Sequence, residues 1–315
     1  MHRYILTRLF YAFISLMLLS VTIFVMIRIT GDPVVLMADP GAKEEDLQAL
    51  RVELGLDRTY VEQYVIFITK LARGDFGKSF MYRIPVFELY MQRLPASIQL
   101  AGAAMAISVI LGIPLGIFAA VRVNTWLDSF SNIFANLGLA MPSFWLGIML
   151  MLVFAVNLQW LPVQGSGTVK HIIMPAVALG LVFTAANMRL ARSAMLEVLG
   201  SEYIKLARIK GLTEGLVILK HAFKNAIIPV LTFACINFAL ILNGAVVVES
   251  IFAWPGVGRL LYEGVSSRDF PVVQTTVILG GVMIILVNLL RSPGGSGWLP
   301  GCAGDHSSRW GFWGA

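Results

Sequence analysis

The sequence predicts an all-α, polytopic transmembrane helical bundle of six spans, with a small helical insert after the first span. Three observations carry this reading. Of 315 residues, 57% are hydrophobic and only 13% charged, whereas a soluble domain has roughly a quarter charged. The mean hydropathy is +0.79, the balance of an integral membrane protein. Six apolar runs also approach the ~20 residues a helix needs to cross a bilayer. The net charge of +6 fits cytoplasmic loops and anionic lipid rather than nucleic acid. Cys235 and Cys302 form no disulfide framework, and Cys235, inside an apolar run, reads as a small buried hydrophobe.

The runs are 9–27, 97–121, 130–156, 172–188, 229–248 and 272–290. Apart from Arg28, at the outer edge of the first, they hold no Asp, Glu, Lys, Arg or His. Loop charge sets the orientation. Arg3 and Arg8 precede the first run, Arg122 with Asp128 follows the second, and 189–228 carries Arg189, Arg192, Lys205, Arg208, Lys210, Lys220 and Lys224. The alternate loops are poorer: 157–171 has only Lys170, and 249–271 sets Arg259 and Arg268 against three acids. Both termini and the basic loop are therefore expected in the cytoplasm. The first run is long for a signal peptide and lacks a small-x-small site before Gly31, so it reads as a retained anchor.

Segment 30–96 reads as an ordered periplasmic insert. Pro40 is placed to start a helix, Glu44, Glu45 and Asp46 suit its positive end, Leu47, Leu50 and Leu54 mark an apolar face, and Gly55 stops it. Thr59 and Glu62 have capping-box spacing before a second amphipathic stretch ending near Gly74. The stretch 72–79, ARGDFGKS, fits a relaxed phosphate-loop pattern. A helix pattern precedes it rather than a strand, so it reads as a turn between helices.

The spans lack the ionisable groups of ion-coupled carriers and the nucleophile–base pair of an intramembrane enzyme. Pro114 and Pro142 read as kinks or packing notches. Nothing in the chain supplies energy for transport, no cofactor is implied, and His171 stands alone as a metal contact where several ligands are needed. An uphill transporter with this sequence needs a partner to drive it. The segment EYIKLARIKGLTEGLVILKHAFKNAIIP, residues 202–229, is where a cytoplasmic partner could push. Residues 202–210 read as a helix with Ile204, Ala207 and Ile209 on or near one side. Gly211 ends it, and 212–224 resumes helical character along the membrane surface. From these residues alone, a lipid anchor and a partner dock stand equally open.

The pattern Glu202-Tyr203, Ala207-Arg208-Ile-Lys210-Gly211-Leu212, His221 and Asn225-Ala-Ile-Ile-Pro229 resembles the cytoplasmic loop of ABC importer permeases. It is most similar to the dipeptide/oligopeptide/nickel permease family, in the subunit type with a long first periplasmic loop. The glycine-to-proline spacing departs from the general importer pattern and suits this subgroup. Gly31-Asp-Pro33, Leu54-Gly-Leu-Asp57, Arg73-Gly-Asp-Phe-Gly77, Leu94-Pro-Ala-Ser97, Met141-Pro-Ser-Phe-Trp145 and Glu249-Ser-Ile-Phe-Ala-Trp-Pro-Gly-Val-Gly258 agree in order and spacing. The resemblance covers 1–290.

It implies a non-enzymatic permease subunit in the bacterial inner membrane. The expected partners are cytoplasmic ATPase subunits, a second permease subunit and a periplasmic solute-binding protein, with membrane lipid around it. The ten residues of that pattern become the coupling segment, and the substrate is expected to be a di- or oligopeptide, with nickel or another small solute as the alternative. The expected organisation is an N-terminal helix over 1–29, the insert over 30–96, a five-span domain over 97–290 containing the coupling loop 189–228, and a tail over 291–315. That tail, rich in Gly, Ser and Trp, lacks the apolar helix end and basic terminus that the resemblance implies. It reads as out-of-frame translation, or else as a disordered tail of this lineage.

Overall fold

A computed structural model of the chain describes residues 2–30, 34, 43–53 and 55–291. The expectations at Gly31-Asp-Pro33, Pro40, Leu54 and the tail 292–315 lie outside the described residues, as does the side chain of Leu50. Helix α1 is His2–Thr30, α2 Glu44–Glu53, α3 Tyr60–Ala72, α4 Val86–Val121, α5 Trp126–Ala140 and α6 Ser143–Leu150, continuing π-wound through Met151–Asn157. Helix α7 is Val169–Leu199 and α8 Glu202–Ile209. Helix α9 begins at Glu214–Leu216, winds as a π-helix through Val217–Ala222 and continues as Phe223–Gly244. Helices α10, α11 and α12 are Val246–Ile251, Val257–Ser266 and Phe270–Arg291. Among the described residues there is no strand, only an isolated bridge between Lys78 and Pro85.

Among the described residues, four helices are long and apolar enough to cross a membrane: Leu6–Ile29, Val86–Val121, Val169–Leu199 and Glu214–Leu242. The expected run 130–156 is not one straight span. It breaks into α5 and α6, bent by 100°, and makes a fifth crossing only if the pair is counted together. The cause is Met141-Pro142: a residue before proline is driven out of the α region, Met141 is extended at φ −84°, ψ 124°, and Pro142 becomes the N-cap of α6. The last expected run, 272–290, lies in α12, which is helical over the whole of that run. By contrast α4 runs unbroken through Pro95 and Pro114, so its 36 residues reach roughly 54 Å and extend past the N-terminal end of the 97–121 run.

The core is the crossing of α4 on α7. Ala104, Ser108, Gly112 and Gly116 repeat every fourth residue and lie on one face of α4. A Cβ at Gly116 would lie 2.4 Å from the Met188 carbonyl oxygen, and one at Gly180 2.8 Å from that of Ala104. Small residues let the two backbones approach this closely, which is how apolar helices associate where no hydrophobic driving force separates lipid from protein. Asn187 donates through Nδ2 to Ser108 Oγ at 2.7 Å inside this contact.

Helix α5 is tied to α7 by Asp128, which is buried and accepts from Arg192 Nε at 2.7 Å and Nη2 at 3.0 Å. The Asn124 backbone N–H and Asn132 Nδ2 also donate to it, so this ion pair leaves no carboxylate lone pair stranded.

The insert behaves as its caps require. Thr59 Oγ1 accepts from the Glu62 N–H, and Glu62 accepts from the Thr59 N–H at 3.0 Å. The Thr59 N–H and the Thr59 hydroxyl, both donating to Oε2, hold the Glu62 carboxyl below its usual value. Helices α2 and α3 each end on a left-handed glycine, Gly55 at φ +69° and Gly74 at φ +77°. Residues 73–85 form the expected turn before α4, fastened by Asp269, which accepts from Ser79 Oγ and the Met81 N–H. The expectation for Cys235 fails: it is exposed, while Ala234, Asn237 and Ala239 beside it on α9 are buried.

Candidate functional site

The basic segment folds as an elbow. Helix α8 buries Ile204 and Ala207 against Ile113 and Ala120 of α4, Ala191 and Met195 of α7, and Val217, Ala222 and Ala226 of α9. Ile209 does not join them. It is 80% exposed, because five residues beyond Ile204 place it about 140° around the helix. Tyr203, Leu206 and Leu219 are also exposed, so the elbow presents an apolar ridge among its lysines.

Gly211 ends α8. The Gly211 N–H donates to the Arg208 carbonyl at 2.9 Å and the Leu212 N–H to that of Ala207 at 3.4 Å, the two bonds of a Schellman cap. This geometry needs a left-handed residue at Gly211, which has φ +78°. Across the turn, Arg208 donates through Nε to Glu214 Oε1 at 2.7 Å and through Nη2 to Oε2 at 3.3 Å. Asn225 Nδ2 donates to Tyr203 Oη at 2.9 Å and to the His221 carbonyl at 3.3 Å. Glu202 pairs with Lys205 at 2.8 Å on the surface.

The sequence-derived residues thus fall into two groups, Tyr203 with His221 and Asn225, and Arg208 with Gly211 and Leu212. Lys210 is exposed beside the turn, and Pro229 lies within α9. Residues 212–224 are not a separate surface helix. From Glu214 they run without interruption into the apolar span, so the second arm of the elbow and the span are one rod. Within that rod, Val217–Ala222 is π-wound, a form often found at functional places in helices.

A second constellation was not visible as such in the sequence. Glu249 is fully buried. It accepts from Ser97 Oγ at 2.7 Å and from the Arg259 N–H at 3.0 Å, so its carboxylate caps the N-terminus of α11. Ser97 Oγ also accepts from the Val257 N–H, and Trp254 Nε1 donates to the Ala96 carbonyl. A Cβ at Gly256 would lie 2.3 Å from this carboxylate. Burial pushes the Glu249 carboxyl above its usual range, while the hydrogen bonds from Ser97, Arg259 and Gly258 pull it down. The signal was present in the spacing of Glu249, Gly256 and Gly258, but only folding puts Ser97 beside them.

At the α5–α6 break a cavity of about 400 Å³ opens, lined by Met141, Pro142, Ser143, Phe183 and Ile241 among others. Among the described residues no group of His, Cys, Asp and Glu could hold a metal ion. His171 instead shares a hydrogen bond with Thr168 Oγ1 through Nδ1.

The family described as "Binding-protein-dependent transport system inner membrane component" matches residues 112–292, and the corresponding N-terminal family matches residues 1–101. The chain belongs to this family. It is 38% identical over 291 residues to the glutathione transport system permease protein GsiC of Escherichia coli (strain K12), covering 92% of this chain and 95% of that protein. The GsiC of Salmonella typhimurium is equally similar.

Two solved structures share the fold. One is the MetNI methionine ABC transporter, with TM-score 0.53 and 17% identity over 64% of this chain and 93% of that one. The other is an amino acid ABC transporter, with TM-score 0.52 and 16% identity over 65% and 92%. The permease is thus a multi-pass inner-membrane subunit of an ABC importer, and its relatives are permease subunits rather than enzymes.

Proposed function

We propose that this permease carries a small peptide across the inner membrane. ATP-driven closure of partner ATPase subunits would be received at residues 202–229 and passed to the spans. The observation that carries the reading is that α9 runs unbroken from Glu214 into the membrane while α8 packs on its start through Ile204 and Ala207, so a push on Tyr203, Leu206 or Ile209 bears on the helix that crosses the membrane. In the same reading both termini are cytoplasmic, and a second permease subunit and a periplasmic solute-binding protein complete the complex. Glutathione, named for GsiC, is a tripeptide and falls within the di- or oligopeptide class. Nickel or another small solute is the alternative, and the lack of clustered metal ligands among the described residues gives it no support. The tail from 291 is proposed to be out of frame; the family match ends at residue 292.

The test is uptake in cells lacking their own peptide importers, supplied with this permease and its neighbouring partner genes. Labelled glutathione or dipeptide should accumulate only when ATPase and binding protein are both present. Accumulation of nickel without peptide would replace the substrate reading, and uptake independent of any ATPase would end the importer reading.

A further inference from the structure

Helix α3 was expected to be part of a periplasmic cap, yet its contacts on α1 lie too deep for a helix in water. Tyr64 Oη and Ser20 Oγ share a hydrogen bond at 2.8 Å, and Tyr64 Oη also reaches Met17 Sδ at 4.0 Å. Phe24 packs on Tyr64 and Phe67 with ring centroids 5.3 and 6.0 Å apart. Arg28 Nε donates to Gln63 Oε1 at 2.9 Å. Met17, Ser20, Phe24 and Arg28 form one stripe of α1, and the side chains of Gln63, Tyr64 and Phe67 on α3 meet it.

The uncharged stretch of α1 between Arg8 and Arg28 is just long enough to span a bilayer core of ~30 Å. Ser20 sits seven residues inside its end at Ile27, or about 10 Å below the apolar boundary at ~1.5 Å per residue. If the Tyr64 hydroxyl stood in water, Ser20 and everything beyond it would have to stand there too. The remaining run, 9–19, would reach only about 16 Å, too little to cross. The depth of the Tyr64 contact therefore places that side chain below the apolar boundary, and α3 within a tyrosine's length of it, at the interface of the outer lipid leaflet.

The faces of α3 agree. With the α1-facing residues set aside, Val61, Val65, Ile68 and Ala72 recur at helical spacing on one flank, while Glu62, Thr69 and Lys70 are exposed on the rest of the surface. Val61 is 74% and Val65 56% exposed. Beside the α3 stripe on α1, the next row, Leu18, Val21, Val25 and Ile29, is also exposed, and in a membrane-spanning helix such a row meets acyl chains. The apolar flank of α3 continues a surface of that kind at the same depth.

We infer that α3 is an interfacial membrane helix: its Val61–Val65 flank is covered by acyl chains of the outer leaflet, and its Glu62 and Lys70 side faces the headgroups. The insert is then anchored in the bilayer against α1, rather than held above it as a protein-receiving cap. This inference is independent of the substrate and of the elbow.

The experiment is site-directed spin labelling of the full chain in nanodiscs of phosphatidylethanolamine and phosphatidylglycerol. The background is Cys235→Ala with Cys302→Ala, and the labels are placed singly through Val61→Cys, Val65→Cys, Thr69→Cys and Gln48→Cys. Collision with oxygen, which concentrates in lipid, is compared with collision with a water-soluble nickel chelate. Oxygen should dominate several-fold at 61 and 65, and the chelate should dominate at 48, with 69 between them. If 61 and 65 resemble 48, the flank faces water and the inference fails. Low accessibility to both reagents at 61 and 65 would mean that protein covers the flank, which also overturns it. Because 61 and 65 are labelled separately, a local disturbance at one site leaves the other to decide.

Discussion

Arg208 and Glu214 face each other across the Gly211 turn and close a two-point ion pair, with nitrogen–oxygen distances of 2.7 and 3.3 Å. Both are partly exposed, so the pair contributes at most about 1 kcal/mol to stability. Its consequence is geometric: it bridges α8 and α9 across the turn. Arg208→Ala and Glu214→Ala should therefore reach the membrane at wild-type levels and melt near the wild-type temperature while losing transport. A matching loss of membrane level and transport would make the pair merely structural.

Gly211→Val should do more. A Cβ at Gly211 meets nothing within 4 Å, so the strain lies in the backbone. A left-handed residue with a side chain costs roughly 1–2 kcal/mol, and a β-branched one tolerates that conformation worst. Gly211→Asn, which visits this region more readily, serves as the control. Co-purification of the ATPase at matched membrane levels should fall for Val and persist for Asn; full recovery with both would favour the lipid-anchor reading of the elbow.

The α4–α7 crossing gives a steric prediction. Gly116→Ala forces a methyl against the Met188 carbonyl, and overpacking of this kind costs about 1–3 kcal/mol. Gly102→Ala, on the same helix, meets nothing within 4 Å and should be neutral or slightly stabilising. Thermal unfolding in one detergent should separate the two, and equal melting temperatures would show that the helices do not approach so closely.

Glu249 gives a pH prediction. Its carboxyl titrates above its unfolded value, so its stabilising contribution is complete below ~4.3 and is lost as pH rises through the folded value. Glu249→Gln removes that titration. The melting-temperature advantage of wild type over Glu249→Gln should grow as pH is lowered from neutral towards 5. A gap that stays constant would show that the carboxyl is not shifted. Glu249→Ala, which leaves the Arg259 N–H and Ser97 Oγ without this acceptor, should cost roughly 1–3 kcal/mol for each orphaned group.

Orientation is tested by labelling. A cysteine replacing Gln48 in α2 should react with an impermeant maleimide added outside intact cells, and one replacing Gly215 should react only after lysis. The opposite pattern would invert the bundle and remove the elbow from any cytoplasmic partner.

Composition and apolar run length determined the membrane class and the helical architecture, because a bilayer admits only backbones that satisfy their own hydrogen bonds. Local chemistry also placed the Thr59–Glu62 cap, the glycine stops at Gly55, Gly74 and Gly211, and helix α8, since each depends on residues within one or two turns. Run length alone could not show the break at Met141-Pro142. Apolar residues continue on both sides of it, while Pro95 and Pro114, the same residue type, sit inside an unbroken α4, so the residue type alone does not decide the break. Nor could it show that residues 212–224 belong to the fifth span, that Ile209 turns outward, or that Cys235 is exposed. The meetings of Glu249 with Ser97, Asp128 with Arg192 and Tyr64 with Ser20 join residues 44 to 152 positions apart, and no periodicity along the chain encodes such pairs. They arise when small residues let α4 and α7 close together and the rest of the chain packs around that crossing.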